Sequence, residues 1–370
     1  MIRLLSVAWY KILPAKYGGQ KGIAFFNEYL ARHFPLVCLC SVNNETDRTL
    51  PYKLLPKLPV TKFQFISPGS WKLIRQTMVE EKSTHLVLEH PYHGLAAVKA
   101  CRATGAKLIV HAHNIESQRF RQLGRFTWPL LAAYEKWTMR HADLCLFKTE
   151  EDAQWAAKQF DIPAERSMIA PYGTDIRPPQ VRSIAGRLIR ERHAILPHEK
   201  VLLFAGTLDY LPNARAVETI YKEIAPRLVA LDPHFRIIIC GRNKEKAFRY
   251  LTTFNHERVI MAGEVPDIEG YFEAADVFIN PVHSGGGMQT KNIDALARNC
   301  TVVSFAGWTD RQLQSLAAEK IFITEDGNWE QFVQQIRKAA QHRVITPPAF
   351  YDHYHWAAIT RRVAERIHVL

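Results

Sequence analysis

The 370-residue chain contains no apolar run near the roughly 18–20 residues that span a bilayer, so nothing in it reads as a membrane-crossing helix. Its start, MIRLLSVAWYKILP, has no small-residue cleavage site and fits a first strand better than a secretion signal. Cysteine is sparse: the six residues Cys38, Cys40, Cys101, Cys145, Cys240 and Cys300 form no C-x2-C pair. They read as reduced core thiols, and no disulfide framework or cysteine metal site is expected. Low-complexity segments, zinc-finger spacing and arginine-rich tracts are also missing, which ranks nucleic acid last among partners. No Ser/His/Asp or metal-ligand cluster stands out. The expectation is a cytoplasmic protein without a required metal or bound cofactor.

What is present is ordinary globular material, 47% hydrophobic and 23% charged. The length exceeds one ordinary core, so two domains are expected. The net charge of +12 is unevenly placed: residues 1–150 hold 21 Lys and Arg against 10 Asp and Glu. A basic amino-terminal half is suited to an anionic substrate or an anionic membrane surface.

Strand-like and helix-like segments alternate almost throughout. In the first half, strands are expected at Ile2–Trp9, Leu36–Ser41, Lys62–Ile66, His85–Glu89, Lys107–Ala112, Leu144–Lys148 and Ser167–Ala170. Tyr17-Gly18-Gly19 reads as a tight loop before a helix at Gly22–His33. In the second half, strands are expected at Lys200–Ala205, Phe235–Cys240, Arg258–Ala262, Asp276–Pro281, Thr301–Phe305 and Lys320–Ile323. This alternation predicts parallel sheets covered on both faces, in two doubly wound α/β domains. The expected division is 1–175, a linker over 176–198, and 199–349, with a last helix at about 350–370 crossing back onto the first domain. Ligands in such folds sit at the carboxyl ends of the strands.

One stretch there has its own chemistry. Ser284-Gly285-Gly286-Gly287 follows a buried strand and precedes a helix from Met288 to Arg298, with Lys291 in its first turn. Free amides, the positive dipole end and a lysine together suit an anion.

The order of motifs resembles the family 4 retaining glycosyltransferases, which have the two-domain GT-B fold. The matching pieces are KYGGQKGIAFFNEYLARHF, HNIESQRF, EKWTMRHADLCLFKTEEDA, APYGTD, LLFAGTLDYLPNARAV, ICGRN, AGEVPDIEGYFEAADVFINP and GGMQTKNIDALARNCTVVS. They occur in family order over nearly the whole chain. The resemblance implies two Rossmann-like domains facing across a cleft, and transfer of a sugar from a nucleoside-diphosphate sugar to a glycan or lipid-linked acceptor. It also implies a front-face mechanism in which the leaving phosphate deprotonates the acceptor.

Residue by residue, it implies a diphosphate held by Lys291 and the backbone of Gly286, Gly287, Met288, Gln289 and Thr290. Asp294 falls where a carboxylate meets the ribose. Gly286 stands where the family usually has a sugar-binding carboxylate. The basic pair common after the first strand of the second domain is replaced by Gly206-Thr207-Leu208-Asp209-Tyr210, leaving Arg242 as the substitute cation. Arg242 and the Glu264-Val265 backbone are the candidates for the nucleotide base. In the first domain, Gly18 and Gly19 match a glycine loop near the diphosphate, and His113 matches a histidine beside the donor sugar, with His111 its rival. Asn114 and Glu116 are the acceptor or orienting candidates, and His90 and His93 read as polar loop residues. Acceptors of this class suggest peripheral association with the inner face of a membrane. A non-catalytic GT-B binding subunit and a nucleotide-sugar epimerase are the alternatives.

Overall fold

The computed structural model describes residues 1–60, 68–176, 184–284, 288–342 and 344–370. The strand expected at Lys62–Ile66 and the positions Gly286 and Gly287 lie outside them. The chain forms two compact units, one of Met1–Asp175 with Tyr354–Leu370, the other of Ile176–Gly285 with Gln289–His353.

In chain order the first unit contains β1 (Leu4–Ala8), α1 (Gly18–Leu30), β2 (Leu36–Ser41), β3 (Lys53–Leu58), α2 (Pro68–Glu80), β4 (His85–Glu89), α3 (Gly94–Thr104), β5 (Lys107–Ala112), α4 (Glu116–Gln122), α5 (Trp128–Arg140), β6 (Leu144–Phe147), α6 (Glu150–Phe160) and β7 (Ser167–Ile169). The strands form a parallel sheet in the order β3-β2-β1-β4-β5-β6-β7. β1, β4 and β6 are buried along their whole length, and β5 from Leu108 onward, as strands covered on both faces must be.

β3 lies in a stretch that its prolines make look irregular. It is an edge strand, and Pro56 sits opposite Cys40, so its missing N–H costs no pairing on the open side. The glycines of Tyr17-Gly18-Gly19 open α1 rather than forming a separate loop. The Gln20 carboxamide oxygen accepts from the amides of Lys16 and Tyr17 at 2.8 and 3.3 Å, which fixes the helix start there.

The second unit contains α7 (Ile184–Arg192), β8 (Lys200–Ala205), α8 (Leu211–Thr219), α9 (Ala225–Leu231), β9 (Phe235–Cys240), β10 (Val259–Gly263), α10 (Glu269–Ala274), β11 (Val277–Asn280), α11 (Thr290–Ala297), β12 (Thr301–Phe305), α12 (Arg311–Ala317), β13 (Ile321–Thr324), α13 (Trp329–Gln341) and α14 (Pro348–Tyr354). Its parallel sheet runs β10-β9-β8-β11-β12-β13. A π-helical turn at Ile220–Ile224 joins α8 to α9 just before Pro226, whose ring cannot supply the next helical N–H.

Residues 176–198, expected as a linker, include α7. This helix packs on α10, and Arg190 donates to the Ala274 carbonyl at 3.1 Å. The last helix is not continuous. His355 takes an extended conformation and pairs with Thr174, so the helix stops at Tyr354 and restarts as α15 (Trp356–His368), which packs on α1.

Candidate functional site

In each sheet, candidate side chains lie at or just past the carboxyl ends of strands. In the first unit this end is unusually dense in buried charge. Glu89 is the last residue of β4, and it is fully buried. Its Oε2 lies 2.7 Å from His113 Nε2 and 2.9 Å from His111 Nδ1. Lys148, one residue beyond β6 and also buried, brings Nζ to 2.6 Å from His111 Nε2. Both histidines are held well below the usual imidazole range, first by burial. Burial raises the Glu89 carboxyl against the pull of Lys148, and lowers the Lys148 ammonium against the pull of Glu89.

Beside this chain lies a second cluster around Glu116, the first residue of α4. Its carboxylate accepts from Tyr92 Oη at 2.8 Å, Asn114 Nδ2 at 3.2 Å and Arg119 Nε at 2.9 Å, and stands 3.1 Å from His90 Nδ1. Glu116 therefore begins a helix and orients Asn114 at once. Glu135 of α5 accepts from the amides of Glu116 and Ser117 and from Ser117 Oγ at 2.7–3.0 Å, satisfying the free donors at the start of α4. His90 sits at φ 66°, and its ring stacks on His113 with centroids 4.4 Å apart. It is a packed member of the site, not a loop residue facing water. A non-glycine residue in that backbone region is a mark of a constrained site.

Glu89, His111 and His113 are the one such group among the described residues whose ligand atoms are compact enough to hold an ion, all within 4.8 Å. Ligands about 2.1 Å from a tetrahedral ion stand about 3.4 Å apart. The observed 2.7 and 2.9 Å are shorter than that, the first being a hydrogen bond, and Lys148 already supplies positive charge there.

Gly18 and Gly19 form the first turn of α1, where Tyr10 Oη donates to the Gly19 carbonyl at 3.2 Å. The amides of that turn have no helical partner to give to.

In the second unit, Gln289 precedes α11 and Thr290 and Lys291 open it, two residues later than Met288, where the helix was expected to start. Lys291 Nζ donates to Asn213 Oδ1 at 2.6 Å and lies 4.7 Å from the centre of the Phe204 ring. Asn213 is held in turn by its Nδ2 donating to the Thr207 carbonyl at 2.8 Å. Burial lowers the Lys291 ammonium to about 7. Asp294 lies one helical turn on, 3.8 Å from Arg298.

Arg242 follows β9 and pairs with Asp209 at 2.9 Å. The other Asp209 oxygen accepts from the amides of Lys244 and Glu245, both at 2.8 Å. A carboxylate thus organises the loop beside the cation. The approach is tight: a Cβ on Gly241 would stand 1.9 Å from the Gly206 carbonyl oxygen. Val265 follows Glu264, which pairs with Lys244 at 2.7 Å. Next to Arg242, both amide atoms of Asn243 are covered without a hydrogen-bond partner among the described residues.

The structure therefore groups His113, Asn114 and Glu116 in one unit, and Arg242, Val265, Gln289, Thr290, Lys291 and Asp294 at the strand ends of the other. Sequence reasoning passed over Glu89, Lys148, Asn213 and Asp209. The signal available for the first two was a charged residue closing a wholly apolar strand.

Two parallel sheets with alternating helices define a doubly wound, two-domain architecture, and solved structures show it to be the GT-B fold. A sucrose-phosphate synthase from Thermosynechococcus elongatus superposes with a TM-score of 0.76 at 15% identity, covering 99% of this chain and 98% of its own. The Anabaena protein Alr3699/HepE, solved with UDP and glucose, gives 0.73 at 14% identity with both chains covered completely. The chain belongs to the family 4 type of glycosyltransferases: residues 28–177 match the family model Glycosyltransferase Family 4, and residues 199–342 match Glycosyl transferases group 1. An uncharacterized 44.6 kDa protein in the cps region of Klebsiella pneumoniae is 20% identical over 260 residues, spanning 66% of this chain. The chain matches 62% of that relative's length, a little under two thirds.

Proposed function

We propose that this chain is a retaining glycosyltransferase that moves a sugar from a nucleoside-diphosphate sugar to a glycan or lipid-linked acceptor. The observation that carries the reading is Lys291 at the start of α11, held by Asn213 with its charge covered. A half-neutralised lysine beside free helix amides is suited to a departing diphosphate, whose charge grows as the glycosidic bond breaks. In this reading Gly286, Gly287, Met288, Gln289 and Thr290 give backbone amides to the diphosphate. Asp294 takes the ribose hydroxyls, and Arg242 with Val265 meets the base. His113 takes a hydroxyl of the donor sugar, Asn114 and Glu116 order the acceptor side, and Gly18 and Gly19 supply amides near the diphosphate. The acceptor oxygen bonds to the anomeric carbon on the face the phosphate leaves, and a phosphate oxygen takes the acceptor's proton. No nucleophile of the protein is consumed.

The acceptor side also supports peripheral association with an anionic membrane on the cytoplasmic side. Phe126 and Leu130 are 91% and 76% exposed, next to Arg121 and Arg125. Between α4, α5 and α6 lies an open groove of about 410 Å³ lined by Trp128, Trp155 and Arg121. No helix among the described residues is long and apolar enough to cross a membrane.

The deciding experiment incubates a panel of nucleotide sugars with glycan and lipid-linked acceptors and follows products by NMR. Transfer with the anomeric configuration retained is expected. Binding of a nucleotide sugar without turnover of any kind would favour a non-catalytic subunit, and release of an epimeric sugar nucleotide would favour an epimerase.

A further inference from the structure

The buried chain Lys148–His111–Glu89–His113 has a consistent direction. β4, β5 and β6 are neighbours, with Glu89 opposite His111 and Ala112 opposite Phe147. Three adjacent strand ends therefore deliver a carboxylate, two imidazoles and an ammonium to one spot. Glu89 Oε2 faces one nitrogen of each imidazole. Paired with Lys148, Glu89 is a carboxylate that only accepts, so its 2.7 Å hydrogen bond with His113 puts that ring's proton on Nε2. Lys148 Nζ, a donor 2.6 Å away, needs His111 Nε2 bare, so the neutral ring carries its proton on Nδ1, 2.9 Å from Glu89 Oε2 but out of hydrogen-bond alignment with it. One proton assignment satisfies both hydrogen bonds and turns the His111 Nδ1 proton toward the carboxylate, and the charges of Glu89 and Lys148 balance within the chain.

The same assignment leaves a lone pair on His113 Nδ1. That atom lies 3.8 Å from where a Cβ on Gly22 of α1 would stand. The rings cannot turn to exchange their nitrogens freely. His111 packs against Phe26 with centroids 4.3 Å apart, and His113 is stacked under His90, itself held by Glu116. We propose that Glu89, His111 and Lys148 are positioning residues that lock His113 as its Nε2–H tautomer, so that Nδ1 is always an acceptor for a substrate hydroxyl. The last clause rests on the reading that His113 meets the donor sugar, and the lock itself does not. Neutrality of both imidazoles, enforced by burial, agrees with it.

The role of Lys148 follows from charge. With its ammonium gone, Glu89 has no counter-charge and keeps a proton in so dry a place. A protonated carboxyl donates to one imidazole, and the tautomers mix. An amide oxygen carries no such proton, so Gln at position 89 restores the lock without Lys148.

The test is long-range 15N–1H NMR on the full chain labelled at histidine, with the His113 signals found by their loss in His113→Gln. A bare Nδ1 and protonated Nε2 are expected in the wild type. Lys148→Met should give mixed tautomers and about a tenfold fall in kcat/KM, the size of one hydrogen bond. Glu89→Gln/Lys148→Met should restore the single tautomer and recover most of the rate. A mixed or Nδ1-protonated His113 in the wild type overturns the lock even if the variants fail to fold. So does a folded Lys148→Met with unchanged tautomers. A lock that behaves as described while His113→Gln transfers sugar at the normal rate removes the sugar contact instead.

Discussion

Replacing Lys291 by Met tests the diphosphate site through two quantities that move in opposite directions. In the unliganded protein Lys291 titrates at about 7 instead of 10.5 because burial penalises its charge. Between those values the unfolded chain binds the extra proton and the folded one does not. Stability therefore rises with pH across that window, by at most about 1.4 kcal/mol per pH unit. Met has similar length and no charge to bury, so Lys291→Met should melt at or above the wild-type temperature below pH 7, and the rise toward pH 10 should flatten. Binding moves the other way. A diphosphate gives the ammonium a partner and raises its pKa, so above pH 7 binding UDP takes up a proton. The lost charge-assisted hydrogen bond is worth about 1.5–3 kcal/mol, and Lys291→Met should bind UDP some tenfold to a hundredfold more weakly. Calorimetry at pH 8 in buffers of different ionisation enthalpy reads both affinity and proton uptake. Equal proton uptake in wild type and variant would refute the reasoning, whatever the affinities.

Three further perturbations follow from the structure. Asp209→Ala removes the partner of Arg242 and the acceptor for two loop amides; UDP affinity measured by calorimetry should fall about tenfold, and denaturant unfolding should show a loss of about 1–3 kcal/mol. Gly94→Ala forces a Cβ to 2.0 Å from Thr138 Oγ1 across the α3–α5 contact. Denaturant unfolding should show a loss of about 1–3 kcal/mol, and wild-type stability would sink that packing account. Phe126→Asp with Arg121→Glu and Arg125→Glu should abolish sedimentation with vesicles rich in anionic lipid while leaving UDP binding intact; retained, salt-insensitive sedimentation would count against the membrane surface.

Much of the architecture was legible because parallel strands buried on both faces are apolar through their interiors, as in Leu86–Leu88 of β4, Val201–Phe204 of β8 and Val277–Ile279 of β11. β3 was hidden by Pro56, since a proline excludes a central strand but not an edge whose outer side is open. The break at His355 was hidden for a different reason. Helical periodicity continues through Tyr351, Tyr354 and Trp356, and only pairing with Thr174, 181 positions away in sequence, takes His355 out of the helix.

The site divides along the same line between local and distant causes. Lys291 was singled out because a glycine loop and a helix start adjoin it in sequence. Asp209 was visible only as the absence of an expected cation, whereas in the fold it holds the cation that is present. Glu89 and Lys148 end apolar strands, and a charge there ordinarily marks the point where a strand meets water. What reverses that meaning is strand order. With β5 between β4 and β6, the two charges converge on His111 from either side, and burial under α1 turns a pair of surface-like residues into the support of one imidazole. The charge that closes a parallel strand is thus better judged by which strand lies beside it than by the residues that precede it.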